Sequence, residues 1–499
     1  MMKVRIDPER KLFSRSPMIF GQFLEHFHRQ IYGGIFMPGH PLSDEDGFRM
    51  DVLEALKRIC VPVIRWPGGC FVSAYHWENG VGKNRIPSFD KAWRVEDDNS
   101  FGTDEFIQFC KKLGCEPYIC TNAGSGTSEE MSNWVEYCNL SEQGQFARRR
   151  ISNGHVDPYR VRYWSIGNEN YYDGEIGSKT VQEWGRFVRE SAKMMKRVDP
   201  EIQLSAASIA DVEWNVRLLQ EAGERMNLIS IHGYWDELWQ EDSPASYSAC
   251  MARTKDLDRD VRRIRGLLNA FGLEKQIKIA YDEWNLRGWH HPAVDHAPLN
   301  DSSFIEARDR NDMNSTYTMA DAVFSACFLN MLLRNADIVN MANFAPVVNT
   351  RGAIYTYDKG IVLRPTYYVF ELYTRFLGEE ILDCYTTEAP EMERKDRFGN
   401  VQVIPQADVI ATKNPGTDRI AVAMVNKHES EILPVDISVP YYEERKASLM
   451  VLAGTEPDAY NDIGRNMVVP EERSYLIEKR EDNSLRIQLP PHSVSVMTL

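Results

Sequence analysis

The sequence predicts a (β/α)8 TIM barrel followed by a C-terminal β-sandwich of jelly-roll type. Eight short apolar, β-branched runs recur over the first three quarters of the chain, with amphipathic stretches of helical period between most of them. After about Gly378 the helical period stops and short alternating runs take over. At 499 residues the chain is too long for one ordinary domain and suits a barrel plus a smaller module.

In chain order the apolar runs are Met18–Glu25, Pro62–Trp66, Pro117–Asn122, Arg162–Asn168, Gln203–Ser208, Leu228–His232, Ile277–Asp282 and Ile338–Phe344. They read as near-continuous apolar segments, as strands covered on both faces do. Helical periods occupy Asp51–Ile59, Thr103–Leu113, Thr180–Arg197 and Leu257–Phe271, and the last barrel helix falls at about Pro365–Phe376 after a long loop. The later runs are Val401–Ile404, Arg419–Val425, Ile432–Ser438, Ala447–Leu452, Leu485–Leu489 and Ser493–Leu499, punctuated by the turn segments KNPGTD and LPPHS. Lys3–Ile6 also alternates and is expected to join the sandwich. The expected division is therefore residues 1–17 as a strand of the sandwich, 18–377 as the barrel and 378–499 as the sandwich itself.

Composition narrows the function. A net charge of −15 repels phosphate backbones, which argues against a nucleic-acid partner. No apolar run approaches the ~20 residues of a membrane span, and the N-terminus has no signal-peptide core, so a cytoplasmic protein off the membrane is expected. The nine cysteines are odd in number and form no CxxC pair. Free thiols in a reducing compartment fit this better than disulfides or structural zinc.

Catalytic groups on such a barrel project from the C-terminal ends of the strands. Three acids stand there: Glu25 after the first run, Glu169 after the fourth and Glu283 after the seventh. Glu169 lies in Trp164-Ser165-Ile166-Gly167-Asn168-Glu169-Asn170, and Glu283 in Tyr281-Asp282-Glu283-Trp284-Asn285. They are 114 residues apart (169 to 283), three βα units of roughly 38 residues, so both reach one barrel mouth. Glycoside hydrolysis needs such a pair: one carboxylic acid protonates the leaving oxygen, and one carboxylate attacks the sugar or activates water. The competing reading, a glutamate that caps a helix or pairs with arginine, is weakened by the neighbours. Trp164, Tyr281 and Trp284 offer flat faces for sugar rings, and Asn168 and Asn170 offer amides for hydroxyls.

Arg65, ending the second run, is expected to keep Glu283 ionised, with a buried structural ion pair as the alternative. Gly68-Gly69 would let the backbone approach a substrate closely. His232 is expected to orient a neighbour or fill the mouth, and His26 and His28 to border the sugar. Trp77, Trp93, Trp235, Trp239 and Trp289 fall in βα loops, for sugar stacking or rim packing. His290, His291 and His296, with Asp295, form the metal-like cluster of the sequence, but without the spacing of a zinc site, and no metal is expected.

The motifs FGQFLEH, RWPGGC with YHWENGVG, YWSIGNEN, ISIHGYW, DEWN, MANFAPVVN and the closing LPPHSVSVMTL, in this order, resemble glycoside hydrolase family 51 of clan A, the α-L-arabinofuranosidases, over essentially the whole chain. The resemblance implies Glu169 as acid/base, Glu283 as nucleophile, Asn168 as the amide for the sugar 2-hydroxyl, Glu25 as a ligand of sugar hydroxyls and Tyr234 beside the nucleophile. It implies a retaining, exo-acting enzyme working by double displacement on arabinose-containing oligosaccharides, without a cofactor, assembled as a hexamer. Cys70 stands where many members carry Asn, and Pro346 where many carry Gln; both positions border the furanose. The alternatives are an endo-β-1,4-glucanase, xylanase or β-xylosidase of the same chemistry, a non-catalytic carbohydrate-binding barrel, and a metal-dependent barrel hydrolase.

Overall fold

A computed structural model of the chain describes residues 1–236, 238, 243–288, 312–440, 447–480 and 484–499. The strands, in order, are β1 (Met2–Ser14), β2 (Gly21–Phe23), β3 (Val63–Trp66), the hairpin β4–β5 (Ser88–Asp90, Val95–Asp97), β6 (Glu116–Thr121), β7 (Tyr163–Ile166), β8 (Gln203–Ala207), β9 (Leu228–Asp236), β10 (Lys278–Arg287) and β11 (Val339–Phe344). They continue with the hairpin β12–β13 (Ile354–Tyr357, Gly360–Leu363), β14 (Glu380–Thr387), the hairpin β15–β16 (Glu391–Lys395, Val401–Pro405), β17 (Ala407–Lys413), β18 (Ile420–Asn426), β19 (Leu433–Ser438), β20 (Ser448–Ala453), β21 (Glu471–Glu472), β22 (Ile477–Lys479), β23 (Leu485–Leu489) and β24 (Ser493–Thr498).

Eight strands close a parallel barrel in the order β2-β3-β6-β7-β8-β9-β10-β11. Its interior is layered. Val63, Tyr118, Tyr163, Leu228, Ala280 and Met341 fill the lower end as one apolar cluster. Above them sit Arg65, Cys120, Ser230 and Asp282, fully buried but polar. The layer above that is the open mouth. Closure brings backbones together at Gly21, where a Cβ would lie 2.6 Å from both Ala342 O and Val63 Cγ1.

The helices form the outer ring by the usual local signals. Thr180 caps Val181–Val198 in a capping box with Glu183, and Trp184, Val188, Ala192 and Met195 make its buried stripe. Met319–Arg334 is buried from Met319 to Leu333, because it lies between the barrel and the C-terminal sheet.

That sheet has ten strands in the order β21-β20-β24-β18-β17-β14-β1-β19-β23-β22. All seven residues of β18 are buried, since it is covered on both faces. Ala421, Ala423 and Val425 pack toward the barrel, while Val422 and Met424 join a second core with Val4, Val435, Leu449, Ile487 and Met497. No α-helix among the described residues covers this second core; the sheet buries it by curling over itself, and β18 meets β23 across it.

Four details depart from the sequence expectation. The first barrel strand is only Gly21–Phe23, because Pro17 and the Ser16 cap start a 3-10 turn over Pro17–Phe20. β9 and β10 run several residues past the barrel rim, so Glu283 lies within its strand rather than after it. Val401–Pro405 stays out of the ten-stranded sheet and forms a separate hairpin that contacts the barrel helix Tyr247–Ala252. Lys3–Ile6 is the start of a longer strand, antiparallel to β14 and parallel to β19.

Candidate active site

The two sequence-paired glutamates meet at the mouth. One carboxylate oxygen of Glu169, one ring nitrogen of His232 and one carboxylate oxygen of Glu283 all lie within 4.8 Å of one another. How β10 delivers Glu283 is a matter of register. Its pairing with β9 shifts between Ala280 and Glu283, an irregularity of the β-bulge kind. Asp282 and Glu283 therefore both point into the barrel, and Trp284 points out.

Glu283 is held from two sides. Arg65 Nη1 donates to its Oε2 at 2.8 Å, and the Tyr234 hydroxyl donates to its Oε1 at 2.5 Å. Arg65 spends its other hand, Nη2, on Asn168 Oδ1 at 2.8 Å, and its Nε lies 3.6 Å from Asp282 Oδ2. Arg351 Nη2 donates to the Tyr234 oxygen at 3.1 Å and stacks on that ring. Beneath, Asp282 accepts from Tyr118 at 2.7 Å and Ser230 at 2.5 Å. Burial works against the charge of Glu283, but the His232 imidazolium, Arg65, the Tyr234 hydroxyl and Arg351 outweigh it and hold the carboxyl below its ordinary range.

Glu169 sits differently. Gly167 (φ 75) and Glu169 itself (φ 46) turn the chain after β7 through the left-handed region and aim the side chain over the mouth. Its Oε1 is 2.8 Å from His232 Nδ1 and 3.3 Å from the Tyr171 hydroxyl, and the side chain keeps 23% of its surface exposed. Burial opposes protonation of His232, yet Glu283, Asp282 and Glu169 together push it up to about 10. At neutral pH it is a cation bridging the two glutamates.

Glu25 lies past the end of β2. Its Oε1 accepts from the Phe71 N–H at 3.1 Å and from Trp93 Nε1 at 3.2 Å. Gly68 and Gly69 pass directly over it: a Cβ on Gly69 would touch carboxylate oxygens of both Glu25 and Glu283, at 3.3 and 3.4 Å. Burial first, and the nearby Glu283 charge second, raise Glu25 to about 8. Cys70 lies partly open beside Glu169 and Glu175, with the three ligating atoms within 4.8 Å of one another. Burial raises the Cys70 thiol, so it stays protonated. Asn168 is buried, and its Nδ2 has no hydrogen-bond partner among the described residues.

Several aromatic expectations are corrected. Trp284 is 0% exposed and packs on Phe328, Phe344 and Phe370 outside the barrel, so it is not a substrate platform. Trp164 and Tyr281 are buried in the same core, for the same reason of strand parity. Trp77 stacks on Trp134 and is buried. His26 is enclosed between Asp97, at 2.8 Å, and Trp66 Nε1, at 3.1 Å, and stacks on Phe71. Trp93, by contrast, does reach the site through Glu25. Trp239, Trp289, His290, His291, Asp295 and His296 lie outside the described residues. The site also contains groups the sequence reading did not single out: Arg351, Tyr171, Asp282 and Glu175. Glu175 is buried and raised to about 7 by that burial, against the Cys70 thiol and the Ser73 hydroxyl that face it.

Two family profiles match this chain: the α-L-arabinofuranosidase 1 domain over residues 55–252 and the α-L-arabinofuranosidase C-terminal domain over residues 282–493. The intracellular exo-α-(1→5)-L-arabinofuranosidase 1 of Bacillus subtilis is 32% identical, over 100% of this chain and 99% of its own. The intracellular exo-α-(1→5)-L-arabinofuranosidase of Halalkalibacterium halodurans is 31% identical, over 93% and 92%. Among solved structures, the α-L-arabinofuranosidase of Thermotoga maritima in its arabinose complex is 35% identical over the full length of both chains, with a TM-score of 0.88. A family 51 enzyme of Thermotoga petrophila is likewise 35% identical, with a TM-score of 0.86. With its motifs, its barrel and both of its halves matched, the chain belongs to glycoside hydrolase family 51, the α-L-arabinofuranosidases.

Proposed function

We propose that the site removes terminal α-L-arabinofuranose units with retention of configuration, Glu283 acting as nucleophile and Glu169 as acid/base. In the first step a Glu283 oxygen attacks the anomeric carbon, the glycosidic bond breaks, and the leaving oxygen takes the Glu169 proton. In the second, Glu169 takes a proton from water, whose oxygen displaces Glu283. Atoms and charges balance without a cofactor.

The observation that carries this reading is the contrast between the two carboxyls. Glu283 is held ionised by three cations and a hydroxyl, and an oxygen of Glu169 lies within 4.8 Å of it. That bound agrees with the roughly 5–5.5 Å carboxyl separation of retaining enzymes better than with the roughly 6.5–9.5 Å of inverting ones, which supports retention. The free Nδ2 of Asn168, the neutral acid Glu25, the Cys70 thiol and Tyr234 supply donors and acceptors for one furanose. No helix among the described residues is long and apolar enough to cross a membrane. Together with the relatives named as intracellular, this supports action on arabinose-containing oligosaccharides inside the cell.

The test is a panel of aryl glycosides with proton NMR of the first-formed sugar. 4-Nitrophenyl α-L-arabinofuranoside is expected to be the best substrate, releasing arabinose of unchanged anomeric configuration. Internal cleavage of cello- or xylo-oligosaccharides without arabinofuranoside hydrolysis would overturn the reading. The hexamer implied by the family is checked by sedimentation.

A further inference from the structure

Glu175 is a buried carboxyl that the two-step chemistry leaves without a task. The turn after β7 carries it back to the mouth. Tyr172 N–H donates to the Glu169 carbonyl at 2.8 Å, and Glu175 N–H donates to the Tyr172 carbonyl at 3.0 Å, so two successive turns bring Glu175 beside Glu169. Gly177 (φ 69) closes the segment against the loop after β6, where a Cβ would lie 2.5 Å from Gly124 Cα. A Glu175 oxygen, a Glu169 oxygen and Cys70 Sγ all lie within 4.8 Å of one another.

This placement is costly. Glu175 is 4% exposed, its Oε1 has no hydrogen-bond partner, and no lysine, arginine or histidine pairs with it among the described residues. Lys179, the nearest base along the chain, donates instead to the Ala123 and Gly177 carbonyls, at 2.5 and 2.9 Å. A neutral amide of the same shape would avoid the cost of a buried charge. What an amide cannot do is exchange a proton.

The neighbour gives that proton a use. Glu169 faces the His232 imidazolium at 2.8 Å, and a cation at that distance favours a carboxylate, whereas the proposed first step needs an acid. A second carboxyl close by works the other way, because two like charges resist forming together. Burial is the first cause that raises Glu175; the Cys70 and Ser73 side chains lower it, and Glu169 and Glu283 raise it further, to about 7. Charge coupling acts in both directions, so what Glu169 does to Glu175 is returned. Around the pair, Cys70 and Tyr171 stay protonated, His232 stays a cation up to about 10 and Glu283 stays ionised. Glu25, which faces Cys70, is raised to about 8.

We propose that Glu175 is a positioning residue for the proton of Glu169, the two carboxyls holding one proton between them through the neutral range so that Glu169 remains able to donate. The inference deepens the acid/base reading of Glu169 and rests on it.

The experiment follows kcat/KM from about pH 5 to 9 for methyl α-L-arabinofuranoside, whose leaving group needs a proton, and for 4-nitrophenyl α-L-arabinofuranoside, whose leaving group does not. The methyl-to-aryl ratio reports the proton on Glu169, because ionisation of Glu25 and any loss of active enzyme fall on both substrates and cancel. In the wild type the ratio falls as pH rises. In Glu175→Gln the midpoint of that fall is expected at least about 0.5 pH unit lower. Glu175→Asp keeps the charge and should return most of the shift. Thermal melting checks each fold, and Glu175→Ala takes the place of the glutamine variant if that one does not fold. A smaller shift, or one toward alkaline pH, in a folded neutral variant overturns the role of Glu175 and leaves the acid/base reading standing. An aspartate variant displaced as far as the neutral one overturns it as well, since shape rather than charge would then matter. A wild-type ratio that does not vary with pH overturns the acid/base reading of Glu169 and this inference with it.

Discussion

The two carboxyls proposed as catalytic stand at one mouth but on opposite kinds of support. Glu283 is part of a strand. A bulge aims it, Arg65 and Tyr234 grip both of its oxygens, and Arg351 and Asp282 fix those partners in turn. Glu169 rides on a turn after β7, touched at one oxygen by His232 and Tyr171 and partly open to water. The difference follows from the work proposed for each. A nucleophile must meet one carbon in one geometry and stay charged, which favours a rigid, cation-rich cradle. An acid/base must give a proton to one oxygen and take one from water, which favours access and a single orienting contact.

The largest effect expected from breaking this pairing is at the rigid end. Glu283→Ala should lower turnover by on the order of 10⁴-fold or more, since no glycosyl ester can form. Added azide should restore part of the rate and yield a glycosyl azide of inverted configuration, read by proton NMR. Near-normal turnover would move the nucleophile elsewhere.

At the open end, Glu169→Ala should cost about 10² to 10⁴ on natural glycosides. The first step should lose far less on an aryl glycoside whose leaving group needs no proton, so accumulation of the glycosyl enzyme distinguishes the two substrates. An equal loss on both would leave Glu169 a binding group only.

Tyr234→Phe tests the cradle itself. It removes one hydrogen bond to a charged oxygen, a change of about 1.5–3 kcal/mol, and so about tenfold to a hundredfold in kcat/KM. A matching substitution at Tyr171, which touches Glu169 more loosely at 3.3 Å, should cost less. If the two variants fall equally, the contrast in support has no catalytic meaning.

Much of this is legible in the sequence alone, and the limits have physical causes. Strand ends, the Glu169–Glu283 pair, Arg65 and Asn168 could be read because a barrel puts its chemistry at predictable positions. The sugar platforms could not be read from adjacency. Trp284 follows Glu283 by one residue, and strand period 2 sends it to the opposite face. Applied to Tyr281 the same rule would have ended its candidacy, while the bulge that breaks parity at Asp282–Glu283 leaves no mark in the sequence. Met319–Arg334 shows no helical stripe because it is buried all round. Arg351 arrives from a loop after β11 and Glu175 from the turn after β7, where no period announces a side chain's direction. The β15–β16 hairpin reads like any sheet strand, and only its contact with the barrel helix sets it apart.

The smallest expected effect concerns the third carboxyl, and it sharpens the comparison by placing a neutral acid beside an ionised one. Glu25 and Glu283 both press on Gly69, yet burial and the Glu283 charge raise Glu25 to about 8 while the surrounding cations hold Glu283 down. A carboxyl whose folded value is raised contributes stability that is full below the unfolded value, near 4.5, and is lost as pH rises through about 8. Glutamine is a neutral near-isostere at every pH, so Glu25→Gln copies the protonated side chain without that loss. The melting temperature of the variant relative to the wild type should therefore climb between pH 4.5 and 8, by about 2 °C or more, and level off above that. Activity should follow the same division, with the variant nearest to wild type below pH 7, where both carry a neutral group. A melting difference that stays constant across this range would mean that Glu25 is ionised throughout, and that the mouth holds two like charges against Gly69 rather than one charge and one acid.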